Sequence, residues 1–172
     1  MKIGIDARFL THPQPGGFKT YSENLLRALA ECDEENEYIF YVDRPLQSTF
    51  ALPLRANCSV CVIPGQAPLV GMFWREQVAL ARQARRDRLD LFHAPNLTAP
   101  LSLTCPLVLT MHDMIWFAPE QFAQPHFRSV KRTLMAWYYR LVPRLAAQHA
   151  ALILTVSYAA KASIVDKLGV KA

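Results

Sequence analysis

Short runs of uninterrupted apolar residues, mostly β-branched or aromatic, recur along this chain, and that recurrence constrains its fold more than any other feature. Lys2 to Phe9 (KIGIDARF), Tyr38 to Val42 (YIFYV), Ser59 to Ile63 (SVCVI), Asp90 to Pro95 (DLFHAP), Pro106 to Thr110 (PLVLT) and Ala151 to Val156 (ALILTV) read as strands bounded by turn formers. A strand with one face in water alternates apolar and polar residues, whereas a strand covered on both faces is continuously apolar, and these are continuous rather than alternating. Between most of them the spacing turns helical. Phe18, Tyr21, Leu25, Leu29 and Cys32 form one stripe, and Val70, Trp74, Val78 and Ala81 a second, with Arg75, Arg82 and Arg86 on a separate face of that helix. A long helix is expected from about Phe127, with Phe127, Val130, Leu134, Trp137, Tyr138, Leu141 and Leu145 on one side and a bend at Pro143. Ser157 is placed to cap a last helix, Tyr158 to Leu168, which Gly169 closes. The expected fold is α/β: a doubly wound parallel sheet with helices on both faces, forming one domain over residues 1–172.

Composition agrees with a folded domain. Of 172 residues 52% are hydrophobic and 19% charged, so enough apolar surface exists to offset the entropy of ordering the chain. Four cysteines are too few for a disulfide scaffold and no cleavable leader precedes the first strand, which points to a reducing cytosol. No run of 18 apolar residues suggests a spanning helix. The net charge of +5 is local rather than global. Five arginines lie between Phe73 and Arg88 and five basic residues between Phe127 and His149, while five acids crowd Glu31 to Glu37. No nucleic-acid motif accompanies the basic residues, so nucleic acid is not an expected partner.

In a doubly wound sheet, ligands bind beyond the carboxyl ends of the strands, where the winding reverses. That rule selects Leu10 to Gly17, His93 to Asn96, His112 to Phe117, and Ser157. Gly16-Gly17 precedes a helix, where glycine permits close backbone approach and free amides favour an anion; the plain alternative is a simple turn. Neither a dinucleotide G-x-G-x-x-G nor a P-loop is present, which disfavours a dehydrogenase or NTPase. His112-Asp113 follows a buried strand, where the imidazole could donate a hydrogen bond to a substrate hydroxyl or phosphate and the carboxylate could orient a sugar or a loop amide. The plain alternative is structural, with His112 capping the strand end and Asp113 turning the chain. His93, His126 and His149 are too dispersed for a metal site, and no bound metal is expected. Cys58 and Cys61 straddle a strand and read as filler, and the two glycosylation sequons at Asn57 and Asn96 read as chance matches. The two basic helices interleave Arg or Lys with Trp, Phe and Tyr. Either they form an interface with anionic lipid, or Trp74, Trp137 and Tyr138 face the core and the arginines a solvated surface.

Taken in order, KIGIDARF, PGGFKTYSENLLRAL, DLFHAPN, VLTMHDMIWFAPEQF and ILTVSYAAKASIVDKLGV resemble the N-terminal half of a GT-B glycosyltransferase of the retaining family 4 over nearly the whole chain. The resemblance implies a Rossmann-like, acceptor-side domain facing a C-terminal donor-binding domain that lies outside these residues. It implies transfer of a sugar from a nucleotide sugar to a glycan or lipid-linked acceptor with retention, in polysaccharide or glycolipid assembly, with no cofactor beyond the donor substrate. It assigns Gly16 and Gly17 to the loop that approaches the donor diphosphate and His112 to the donor sugar near the transferred carbon. Asp113 and Ser157 match adjoining motif positions. The implied location is cytoplasmic, with peripheral contact at the inner face of the membrane through the basic helices. Because transition-state contacts are divided between two domains, this domain alone is expected to be inactive. The rival expectation is a non-catalytic glycan-, lipid- or protein-binding module of the same fold.

Overall fold

The computed structural model describes residues 1–12, 16–46, 55–65, 71–114 and 130–171. Its six strands are β1 Lys2–Asp6, β2 Glu37–Val42, β3 Cys58–Val62, β4 Leu91–Ala94, β5 Leu107–Met111 and β6 Leu152–Thr155. Every pairing is parallel and the order is β3-β2-β1-β4-β5-β6. The chain winds outward from β1 to β3, crosses back to the other side of β1 as β4, and winds outward again. The reversal lies between β1 and β4, where Ile5 pairs with His93.

Strand side chains alternate between two cores. Tyr38, Phe40 and Val42 pack with Ile3, Ile5, Leu10 and Leu26, the last from helix α1, Gly17–Cys32. Ile39 and Tyr41 point the other way, into a cluster with Leu80, Phe92, Leu109, Met111 and Ala146. Both faces of the central strands are therefore covered, which is why these carry no polar alternation, whereas Val62 on β3 and Leu152 and Leu154 on β6 are exposed. Fully burying a side chain such as Phe40 contributes roughly 2–3 kcal/mol. At Gly4 a β-carbon would lie 2.4 Å from Leu89 Cδ1 and 2.8 Å from Tyr41 Cε2, so only glycine lets these side chains close on β1.

Several elements depart from expectation. The first strand ends at Asp6 rather than Phe9, because Arg8–Thr11 coils into a 3-10 turn in which the Thr11 hydroxyl donates to the Arg8 carbonyl. On α1 the deepest residues are Ser22, Leu26 and Ala30; Phe18, Leu25 and Leu29 flank them, and Cys32 is exposed. Helix α2 is a composite of Gly71–Trp74, a π-helical Arg75–Leu80, and Ala81–Arg86. The extra residue per π turn shifts the phase of the helix. Buried positions fall at Gly71, Arg75, Leu80 and Ala84, turning Trp74 outward (53% exposed) and Arg75 and Glu76 inward. Helix α3, Val130–His149, runs through Pro143 without interruption, and Phe127 lies outside the described residues. Its packed face is Val142, Pro143, Ala146 and Ala147, small residues that let the helix approach the sheet, while Leu134, Trp137 (69% exposed) and Leu141 face solvent. Neither Trp74 nor Trp137 is a core residue.

Helix α4, Tyr158–Leu168, follows expectation at both ends. The Ser157 hydroxyl accepts from the Ala160 amide at 3.1 Å, and Gly169 sits at φ 65°, a left-handed conformation that glycine adopts without penalty. Cys58 and Cys61 are free thiols on β3, and burial raises the pKa of both, as suits filler. Among the described residues, no helix is long and apolar enough to cross a membrane.

Candidate active site at the sheet switch point

The residues immediately after β1 and β4 meet across the crevice. Arg8 donates through Nη1 to Glu76 Oε2 at 2.5 Å and through Nη2 to Asn96 Oδ1 at 2.5 Å and Thr98 Oγ1 at 2.8 Å. Its Nε lies 3.4 Å from Asp6 Oδ2, and Asp6 Oδ1 accepts from Arg75 Nη2 at 3.0 Å. Glu76 also accepts from the Thr98 hydroxyl at 2.7 Å and from the Tyr138 phenol, which ties α3 to α2. Two guanidinium groups and two carboxylates thus sit paired in the interior. Burial pushes the Asp6 carboxyl up, yet Arg75 and Arg8 pull harder and leave it below the usual carboxylate range. Burial likewise opposes charge on Arg8, and Asp6 and Glu76 more than offset it. Sequence reading missed this network. Only the π turn brings Arg75 and Glu76 inward, though the polar ends of the strands, Asp6-Ala7-Arg8 and Asn96-Leu97-Thr98, were a usable signal. Asn96 is buried here and accepts from Arg8, so its sequon is structural in this fold.

On the other side of the crevice, His112 follows β5. Its ring packs edge-on against Phe18, with centroids 4.8 Å apart, and against Tyr21 at 4.7 Å. Since Gly16 and Gly17 directly precede Phe18, the glycine pair and the imidazole occupy the same end of the sheet. Gly16 is extended (φ 174°) and Gly17 opens α1; a β-carbon at either would meet nothing within 4 Å. Neither backbone conformation nor packing therefore demands glycine there. The first α1 bond runs from the Thr20 amide to the Gly16 carbonyl, leaving the amides of Gly17, Phe18 and Lys19 outside the helix's own ladder.

Burial lowers the pKa of His112, with a hydrogen bond to the Pro95 backbone and the Asp113 carboxylate acting the other way. Nε2 is buried and has no partner among the described residues, so the bond to Pro95 falls to Nδ1. In that neutral tautomer Nδ1–H donates and Nε2 offers a lone pair. Asp113 is half-buried beside the imidazole. Ser157 lies at the same sheet end, two residues beyond Thr155, which pairs with Met111, but its hydroxyl is committed to capping α4. His93 is a separate matter: its Nε2 lies 2.8 Å from Thr110 Oγ1 inside the core, and burial lowers its pKa to about 4. The part of the His112 to Phe117 loop beyond Met114 lies outside the described residues. Among those residues, no cluster of three His, Cys, Asp or Glu side chains suits a metal ion.

Comparison with known protein families decides what kind of domain carries this crevice. The family model described as Glycosyltransferase Family 4 matches residues 15–172. The chain belongs to glycosyltransferase family 4. No curated protein matches it. The family 4 match embraces the glycine pair, α1, the His112 turn and the Ser157 cap, whereas β1 with Asp6 and Arg8 precedes it. The parallel sheet wound on both sides of β1 is Rossmann-like, an arrangement in which ligands bind past the carboxyl ends of the strands.

Proposed function

We propose that this domain is the acceptor-side half of a retaining glycosyltransferase that moves a sugar from a nucleotide sugar to a glycan or lipid-linked acceptor. The observation that carries the reading is the unpartnered Nε2 of His112, held beside the first turn of α1. A neutral imidazole with Nδ1–H on the Pro95 carbonyl keeps a buried acceptor at Nε2 without a partner among the described residues, which suits a sugar hydroxyl and not a phosphate oxygen. Phosphate is served instead by the amides of Gly17, Phe18 and Lys19 outside the helix's own ladder, where the helix dipole adds to the hydrogen bonds. In the reaction the bond between the anomeric carbon and the leaving diphosphate breaks, the bond to the acceptor oxygen forms on the same face, and the acceptor proton passes to the departing phosphate. The domain's own task is to orient the sugar and stabilise the growing diphosphate charge. Asp113 tunes and orients His112, and Ser157 holds α4 in place beside the crevice. The chemistry needs no metal and no resident cofactor.

A contact with anionic lipid on the cytoplasmic side belongs to the same proposal. Trp74, Leu134, Trp137 and Leu141 are exposed, as are Arg140 and Arg144, and α3 carries no acid. Such a band of exposed apolar side chains among cations suits the headgroup region of a bilayer. Vesicles containing phosphatidylglycerol should retain the chain at low salt and release it at high salt, and equal retention on neutral vesicles would reject the lipid contact.

The decisive experiment joins this domain to a donor-binding half and measures turnover of a panel of nucleotide sugars, with the anomeric configuration of the product read by NMR. His112→Ala should lower kcat/KM by about 100-fold or more. Full activity in that variant would remove His112 from the site, and absence of turnover with every donor would favour the binding-module reading.

A further inference from the structure

A cavity of about 480 Å³ opens on the β2–β3 side of the crevice. Its walls include Arg8 and Phe9 beyond β1, Asp43 and Arg44 beyond β2, and Arg75 from α2. Arg75 is 1% exposed and rigidly placed: Nε donates to the Ile63 carbonyl at 2.9 Å, and Nη2 donates to the Tyr41 carbonyl at 3.2 Å and to Asp6 at 3.0 Å. Its stem packs against Gly65, where a β-carbon would come within 2.6 Å of Cδ. Yet Nη1, with two N–H donors, is buried and has no partner among the described residues. A buried guanidinium nitrogen left without an acceptor is rare enough to need a reason, and a ligand oxygen is one.

The charges around the cavity select the ligand. Three guanidinium groups line it against one carboxylate, Asp43, which already pairs with Arg44 at 3.6 Å and accepts from the Thr11 hydroxyl. Asp6 and Glu76 are engaged behind the wall by Arg8 and Arg75. The cavity is joined to the His112 site by rings in contact, Phe9 on Phe18 at 5.1 Å and Phe18 on His112 at 4.8 Å. We infer that this cavity binds an oxyanion, a phosphoryl or carboxylate group carried by the acceptor, with Arg75 Nη1 and the Arg44 guanidinium as donors. Its assignment to the acceptor rests on the transferase reading; the oxyanion site itself does not. A fixed guanidinium loses little freedom on binding and presents its N–H pair in the planar geometry that phosphate and carboxylate share.

The test uses the 172-residue chain titrated with inorganic phosphate, acetate and glucose, followed by the side-chain Nε–H resonance of Arg75. Phosphate or acetate should shift that resonance saturably in the millimolar range, and Arg44→Gln should weaken the binding by roughly fivefold or more. Arg44 is a half-exposed side chain, so this variant should melt with the parent. The tighter of the two anions tells whether the acceptor group is phosphoryl or carboxylate, and glucose should do nothing. No saturable shift with either anion, or binding unaltered in Arg44→Gln, would overturn the site and leave water as the partner of Nη1. Phosphate bound with no sugar transfer in the two-domain protein would instead sink the transferase reading alone, and transfer without oxyanion binding would sink only the cavity.

Discussion

Two histidines near one another in this fold do different work, and their protonation separates them. Burial keeps His93 neutral down to about pH 4. An unfolded chain would protonate it near pH 6.5, so below that value the unfolded state binds more protons and stability falls with pH. Fully developed, the loss is roughly 3 kcal/mol between about pH 6.5 and pH 4. Urea melts across that range should show a shallower decline for His93→Gln than for the parent. For His112 the same direction of shift bears on activity: protonation would turn Nε2 from acceptor to donor. Turnover in the joined enzyme should therefore fall on the acid side below the ordinary histidine range, and His112→Gln should flatten that limb of the pH profile.

Elements bring out a second contrast, between helices whose ends are written locally and helices whose faces are not. Ser157 and Gly169 specify α4 by chemistry confined to a few residues. Ser157→Ala should cost about 1 kcal/mol, and Gly169→Ala about 1–2 kcal/mol through its left-handed φ, both measurable by thermal or urea melts. In α2 the ideal 3.6-residue period assigns Trp74 inward and Arg75 outward, and the π turn reverses both. In α3 the large apolar side chains are on the outside because close approach to the sheet favours Ala146 and Ala147. Trp137→Ala should accordingly change stability by less than about 0.5 kcal/mol while reducing retention on phosphatidylglycerol vesicles. A large loss of stability would show that Trp137 packs in the core.

For the molecule as a whole, the network around Arg8 fastens the two halves of the doubly wound sheet where they diverge. β1 supplies Asp6 and Arg8 follows it, α2 supplies Arg75 and Glu76, and the segment after β4 supplies Asn96 and Thr98. Replacing Glu76 with Gln removes one of the two carboxylates that pair with Arg8 and leaves Asp6 to balance both Arg8 and Arg75, an effect of about 3 kcal/mol. Chemical denaturation should report it, and a loss under about 1 kcal/mol would mean that water reaches the pair.

The sequence by itself determined the six strands, their parallel pairing, the sheet end at which the glycine pair and His112 lie, and the cap and stop of α4. Each is encoded by neighbouring residues or by a period, and the family resemblance lay in motifs of that local kind. Only the tertiary structure decided which arginines are buried, which tryptophans are exposed, and which nitrogen of His112 lacks a partner among the described residues. Those outcomes depend on a helix phase set by packing and on partners nearly 70 residues or more apart, such as Arg8 with Glu76 and Asn96. A buried charge is tolerated only where distant segments deliver its counter-charge to the same spot, and no local pattern carries that information.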